Sequence, residues 1–263
     1  MFISFSEFLL YNNIKNRKGR SGVRLFLSTL ACLTILPVPS CYQKKLELSK
    51  GILYYTLIGL LIGLIDYLCY GIAIFFLKLS WIGAICAVLS ETIVTGGLHL
   101  NGLASICDGF VTTNKKEKML EKIKNKKIGT NGALALIFTI VLKIVLLENS
   151  GYLAVLLAPV AGKIAIPILI KSSSDKQQTN TFYVTPKYTK YMIGTIFIGI
   201  ALLAGFLQIK SILPIVTILL SAFLFREYWQ QKNGGMTEDA LGAGYELSEM
   251  VFLIIMTLQG GIL

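Results

Sequence analysis

The stretch that decides the fold is GILYYTLIGLLIGLIDYLCYGIAIFFL, residues 51–77, in which Asp66 is the single charged residue. A helix of about 20 apolar residues crosses the hydrocarbon core of a bilayer, so this stretch is predicted to be a transmembrane helix. The whole chain agrees with it. Of its 263 residues, 54% are hydrophobic and 15% are charged, against about 25% charged residues in soluble domains. Composition excludes a disordered chain and an ordinary soluble globule, and it predicts a polytopic membrane protein.

Other apolar runs lie on both sides of this stretch. The run at 25–36 is too short to span and has basic residues on both flanks, so we expect a re-entrant or interfacial helix there. Spanning runs are predicted at 81–98, 133–147, 152–170, 191–207 and 212–225, and a short final run at 250–263. The predicted fold class is all-α, a polytopic integral membrane helical bundle. It has about six to seven spanning helices plus the short N-terminal one.

The basic residues set the expected orientation. Lys and Arg number 25 against 14 Asp and Glu, and seven of the lysines lie between residues 113 and 127. Loops near 99–132, 171–190 and 226–248 carry the excess and fall on one face, which is predicted to be cytoplasmic. We attribute the charge to topology and not to nucleic-acid binding, although a phosphate-rich ligand is compatible with the same lysines. Residues 1–24 are interpreted as a basic N-terminal extension and 25–263 as a single membrane-embedded domain.

The first polar strip is TGGLHLNGLASICDGF, residues 95–110. In a helix, Asn101, Ser105 and Asp108 share one face, where their oxygens suit Mg²⁺. The alternative is a glycine-rich helix end whose polar groups satisfy freed backbone. His99, the only histidine, is either a structural hydrogen-bonding group or a general base.

A lysine-rich segment follows, KKEKMLEKIKNKKIGTNG, residues 115–132. It is predicted to be an amphipathic helix that ends near Lys127. Lys124, Lys126 and Lys127 precede two glycines, and lysines beside exposed backbone amides suit phosphate oxygens. The alternative is a helix that only snorkels at the membrane surface.

The second polar strip is GGMTEDALGAGYELSEM, residues 234–250. In a helix, Asp239, Glu246 and Glu249 lie on one face, which favours a second metal or a substrate site. The alternative is a solvated helix start with Thr237 as N-cap and acidic residues favoured by the helix dipole.

With LTILPVP at 33–39 and GLLIGL at 59–64, these strips resemble the cobalamin synthase family, adenosylcobinamide-GDP ribazoletransferase, in order and spacing. The resemblance covers about residue 30 to the C-terminus. It implies a Mg²⁺-dependent, multi-pass transferase of cobalamin biosynthesis in the cytoplasmic (inner) membrane, with its active-site loops facing the cytoplasm. Such an enzyme joins adenosylcobinamide-GDP to α-ribazole or its phosphate and releases GMP, as a ribose hydroxyl attacks the phosphorus nearer the corrinoid. The expected partners are these substrates and the lipid bilayer. Association with other cobalamin-pathway proteins or with a second copy stays open.

The resemblance also implies residue roles. His99 and Asp108 are expected to be catalytic, and the magnesium ligands are expected to be Asn101, Ser105, Asp108 and Asp239. Substrate and phosphate binding is assigned to Lys124, Lys126, Lys127, Thr237, Glu238 and Glu246, and no organic cofactor is expected. The family has Asp where this chain has Asn101 and Ser105, which keeps open a non-catalytic or altered-activity paralogue that binds corrinoid or a pathway partner. A transporter is a third alternative, suggested by Asp66 and Glu91 at membrane depth.

Overall fold

The computed structural model describes residues 21–38, 48–112, 128–170, 189–233 and 235–260. All regular structure in these ranges is helical, as predicted. The nine longer helices are α1 Ser21–Leu33, α2 Tyr55–Leu77, α3 Ser80–Thr95, α4 Leu98–Thr112, α5 Thr130–Ser150, α6 Tyr152–Leu169, α7 Thr189–Leu207, α8 Ile212–Asn233 and α9 Glu238–Leu258. Short helical segments, Leu48–Gly51 and Ile52–Tyr54, lead into α2, and Gln208–Ser211 joins α7 to α8.

The helices are long and apolar enough to make this chain a polytopic membrane protein. In the described ranges, five continuous stretches meet the length and hydropathy of a span. These are 52–77, 130–150, 152–169, 189–233 and 238–258. A bilayer about 30 Å thick needs about 20 helical residues, so the 45-residue stretch is longer than one span.

That long stretch is a hairpin of α7 and α8. Gly199 of α7 packs against the side chain of Ile164 in α6. Arg226 of α8 donates a hydrogen bond from Nη1 to the carbonyl of Ile168, at 3.2 Å. Positions 27 residues apart along the stretch thus contact residues only four apart on α6, so the chain reverses at Gln208–Ser211, as the two separate runs predicted.

The predicted span at 81–98 differs from the structure. Its helix, α3, ends at Thr95, and α4 leaves it at an angle of 90°. Gly96 and Gly97 form the bend with φ of +63° and +67°, a left-handed conformation that glycine adopts at little cost. The first polar strip is therefore a helix that turns sharply away from the span that precedes it.

The N-terminal helix α1 has 13 residues, in agreement with the short helix predicted at 25–36. Just after it, the backbone N–H of Ile35 donates to the carbonyl of Val94 at 2.8 Å. This bond places the end of α1 beside the bend between α3 and α4. Residues 1–20 lie outside the described ranges, so the interpretation of 1–24 as an extension stays a prediction.

The bundle has two distinct ends. What we call the polar end holds the helix termini Thr95, Thr130, Leu169, Thr189, Asn233 and Glu238, and the far end holds Leu77, Ser80, Ser150, Tyr152, Leu207, Ile212 and Leu258. The connections expected to carry the basic loops all leave from the polar end. The third of these connections was expected near 226–248. In the structure it is shorter, since α8 continues to Asn233 and α9 begins at Glu238. The final span is correspondingly longer than the run at 250–263.

Helix α6 is the central element. Most of its residues are buried, whereas α2, α5, α7 and α8 leave broad apolar faces exposed for lipid. It contacts α2, α7, α8 and α9. A lysine on this helix, Lys163, is consequently surrounded by protein on all sides, with none of its surface exposed.

Candidate functional site

The two polar strips, more than a hundred residues apart along the chain, meet at the polar end. A Cβ atom added to Gly102 of α4 would lie 2.6 Å from the backbone oxygen of Asp239 in α9. One added to Gly242 of α9 would lie 3.0 Å from the carbonyl oxygen of His99. Real Cβ atoms need more room than this, so these two glycines allow the backbones of α4 and α9 to touch. The predicted strips thus form one continuous surface.

Asp108 closes the connection between α4 and α5. Its side chain is buried, and its two carboxylate oxygens accept the N–H groups of Gly129, at 2.6 Å, and Gly132, at 2.9 Å. It therefore satisfies N–H groups at the start of α5 that have no partner within the helix. A side chain at Gly129 would collide with this carboxylate, since its Cβ would lie 2.6 Å from Oδ1. The residue predicted to be catalytic and metal-binding also has a structural role.

The side chains of α4 offer oxygen donors of the type that magnesium binds, but too few of them to fill its coordination shell. Asn101 is exposed and Ser105 is half-buried, on the helix that carries Asp108. Within the described ranges, no group of three His, Cys, Asp or Glu side chains is placed to hold a metal ion. Protein magnesium sites commonly use one or two carboxylates and complete the shell with water and substrate phosphate. The α4 donors therefore suit a magnesium ion that binds together with a phosphate ligand.

The start of α9 has the geometry of a capped helix. Thr237 accepts the N–H of Ala240 with its hydroxyl oxygen, at 3.2 Å, and has the extended backbone of an N-cap. Glu238 and Asp239 follow in the first turn, where the helix dipole favours negative charge, and both are half-buried. The capping alternative is confirmed for Thr237, and the substrate role of these residues stays a prediction.

A buried ion cluster lies where the second strip enters the bundle. Lys143 of α5 places Nζ 2.9 Å from Glu91 Oε2 of α3 and 3.0 Å from Oε2 of both Glu246 and Glu249 of α9. We call these four residues the Lys143 cluster. Their side chains are at most 10% exposed. One ammonium thus contacts carboxylates from two helices. Because these charges are buried away from water, loss of the ammonium would leave the carboxylates uncompensated.

The Lys143 cluster gives two notable glutamates a partner inside the protein. The carboxylate of Glu246 contacts Lys143, and its expected substrate role stays a prediction. Glu91 suggested a transporter because it lies at membrane depth, but it pairs with Lys143 and accepts a hydrogen bond from the Tyr245 hydroxyl, at 3.0 Å. Asp66, the other residue behind that suggestion, accepts a hydrogen bond from Ser90. Both acids have partners within the fold, so nothing in their geometry favours a transporter.

His99 lies beside this cluster, between Tyr245 and Lys163. Its ring stacks on the Tyr245 ring, with centroids 3.8 Å apart and planes 24° from parallel. Its Nε2 is 2.7 Å from Lys163 Nζ, and that ammonium also lies 4.5 Å from the Tyr245 ring centroid. His99 has 6% of its surface exposed, and its ring is held by Tyr245 and Lys163. Its position favours hydrogen bonding to a defined partner over free rotation in the site.

Lys143, Lys163 and Tyr245 were not among the candidate site residues predicted from the sequence. A usable signal was present for both lysines. Each is the only charged residue of its apolar run, at 133–147 and 152–170, and an ionisable residue inside a span is rare unless it is paired or functional. Lys124, Lys126 and Lys127, predicted to bind phosphate, lie outside the described residues.

Comparisons with known proteins agree with these motifs. A family model described as Cobalamin-5-phosphate synthase matches residues 25–257, which include both polar strips. An adenosylcobinamide-GDP ribazoletransferase of Citrobacter koseri is 33% identical over 252 residues, or 89% of this chain and 99% of the relative. A relative of the same name from Clostridioides difficile is 29% identical over 252 residues, covering 90% of this chain and 98% of its own length. No solved structure matches the chain.

Proposed function

The chain belongs to the cobalamin-5-phosphate synthase family, and we propose that it is the membrane transferase that joins adenosylcobinamide-GDP to α-ribazole or its phosphate. The observation that carries the proposal is the family match over residues 25–257, supported by relatives of that name aligned over almost their whole length. In the reaction, a ribose hydroxyl oxygen forms a bond to the phosphorus nearer the corrinoid. The bond from that phosphorus to GMP breaks, GMP leaves, and the hydroxyl proton is released.

We place the reaction at the polar end of the bundle and orient this end toward the cytoplasm, in the cytoplasmic membrane. The lysine-rich segments 113–127 and 171–188 connect helices that end there. The far-end turns carry only Lys78 and Lys210 as basic residues. Positive charge on short loops favours the cytoplasmic side. On this proposal, adenosylcobinamide-GDP reaches the site from the cytoplasm.

The residues of α4 and α9 supply the polar surface for the diphosphate. Asn101, Ser105 and Asp108 would hold a magnesium ion, with Asp239 across the contact between the two helices. When bound, magnesium offsets the negative charge that develops on the transferring phosphoryl group. Lys124, Lys126 and Lys127 are proposed to contact phosphate oxygens, and Thr237 and Glu238 to border the second substrate.

The test is a defined reaction with the purified, full-length protein in nanodiscs. Adenosylcobinamide-GDP, α-ribazole and MgCl₂ are added, and chromatography follows the cobalamin product and GMP. We expect equal amounts of both products, loss of the reaction with excess EDTA, and recovery on addition of Mg²⁺. A folded protein that binds the corrinoid yet releases no GMP at saturating Mg²⁺ would refute the proposed activity and favour a non-catalytic paralogue. Activity that is unchanged by EDTA would refute only the magnesium assignment.

A further inference from the structure

Lys163 is a buried lysine whose ammonium contacts a histidine and an aromatic ring. Its Nζ lies 2.7 Å from His99 Nε2 and over the Tyr245 ring, and the residue has no exposed surface. Among the described residues, no carboxylate lies within 4.0 Å of Lys163, because the nearby glutamates contact Lys143. Within the described residues, the partners of the Lys163 ammonium are thus a histidine nitrogen and the face of an aromatic ring, which attracts a cation.

The helices around Lys163 leave space for it at two glycines. A Cβ atom on Gly59 of α2 would lie 2.9 Å from Lys163 Cγ. One on Gly162 of α6 would lie 2.6 Å from Cδ2 of Tyr245. Without these glycines, the lysine stem and the tyrosine ring could not lie side by side. The fold thus directs the Lys163 ammonium to one nitrogen of one histidine.

The donor and acceptor roles in this contact depend on the tautomer of the histidine, and an ammonium at Lys163 selects one tautomer. An ammonium has three N–H donors and no acceptor, so the imidazole nitrogen that it touches must accept. An imidazole that accepts at Nε2 is neutral and carries its proton on Nδ1. The contact at 2.7 Å is thus incompatible with a doubly protonated His99 facing an ammonium.

We propose that Lys163 is a positioning residue that holds His99 in the Nδ1–H form, so that His99 acts as a hydrogen-bond donor to substrate oxygen and not as the base. This inference rests on the proposed function for its role in the reaction, but not for the state of the ring. With Nε2 engaged by Lys163, the nitrogen left for substrate is Nδ1, which carries a proton. Lys163 itself has no exposed surface, so we do not assign it as a phosphate ligand.

The state of the ring can be measured without any activity. The chain has one histidine, so protein labelled with ¹⁵N-histidine, prepared without a histidine tag, gives ring signals from His99 alone. Nitrogen-to-ring-proton correlations in nanodiscs identify which nitrogen is protonated. We expect a protonated Nδ1 and an unprotonated Nε2 in the wild-type protein, and loss of this preference in Lys163→Met. A protonated Nε2 in the wild-type protein, or spectra unchanged in Lys163→Met, would overturn the proposal.

Kinetics test the role in the reaction. For Lys163→Met we expect kcat to fall by about tenfold or more with KM within about twofold, the pattern of an interaction made in the transition state. Lys163→Arg, which keeps a donor, should recover part of kcat. Lys210→Met, a change of an exposed lysine at the far end, is the matched control and should leave both the ring signals and kcat unchanged. An equal loss in Lys163→Met and Lys163→Arg would refute positioning through hydrogen bonding. Absence of turnover in the wild-type protein would refute the proposed function while leaving the ring assignment to the spectra.

Discussion

Replacement of Lys143 by methionine tests the buried ion cluster most directly. Methionine has a similar length and no charge, so Lys143→Met leaves Glu91, Glu246 and Glu249 without the ammonium that now lies 2.9–3.0 Å from each. Removal of one partner from a buried ion pair costs about 3–5 kcal/mol. Three carboxylates share this partner, so we expect at least the lower value. The ratio of folded to unfolded protein then falls by about 100-fold or more.

The assay is thermal unfolding in detergent, followed by the fluorescence of the two tryptophans, Trp229, which is fully buried, and Trp81, which is exposed. A loss of about 3–5 kcal/mol corresponds to a decrease in Tm of about 6–20 °C for a chain of this size. Lys210→Met is the control, because loss of an exposed lysine should change stability by less than about 0.5 kcal/mol. The triple variant Lys143→Met, Glu246→Gln, Glu249→Gln removes most of the uncompensated charge and should recover at least half of the lost Tm.

Two results would refute this reasoning. If Lys143→Met melts within about 2 °C of the wild-type protein, the cluster does not stabilise the fold at the expected magnitude. If the triple variant melts no higher than Lys143→Met, the loss comes from packing and not from unpaired charge. The comparison therefore separates electrostatics from cavity effects within one set of proteins.

Three further substitutions test individual contacts. Asp108→Asn leaves one acceptor oxygen for the two N–H groups of Gly129 and Gly132, so we expect about 1–3 kcal/mol of destabilisation and faster hydrogen exchange at these amides; unchanged exchange would contradict the contact. Gly132→Ala places a methyl group against the same carboxylate and should lower Tm, whereas Gly71→Ala, with nothing within 4 Å of the added Cβ, should preserve or raise it. Thr237→Ala should cost about 1 kcal/mol through loss of the N-cap, and Thr237→Ser should not, as measured by chemical or thermal unfolding.

The fold class could be predicted from sequence because a bilayer constrains sequence strongly. Each span needs a long apolar run, and the runs at 51–77, 152–170 and 191–207 correspond closely to α2, α6 and α7. The bend at Gly96 and Gly97 was less predictable. The glycines indicated a helix end, but the 90° angle to α4 depends on what α4 packs against.

The polar strips were recognised for similar reasons. Polar residues in an apolar chain are few, so Asn101, Ser105, Asp108 and Asp239 stand out, and helical periodicity places the first three on one face. The contact between the two strips depends on Gly102 and Gly242, whose small size matters only once α4 and α9 are packed together.

What the sequence by itself determined is the membrane class, the helix order, and the chemical types gathered in the two strips, because hydropathy and residue identity are local properties. The tertiary structure decided which buried charges share partners. Lys143 meets Glu91 and Glu249 across 52 and 106 residues of chain, and Lys163 meets His99 across 64. Such pairings follow from how the helices rotate and cross, and these depend on packing of whole helix faces that no local pattern records.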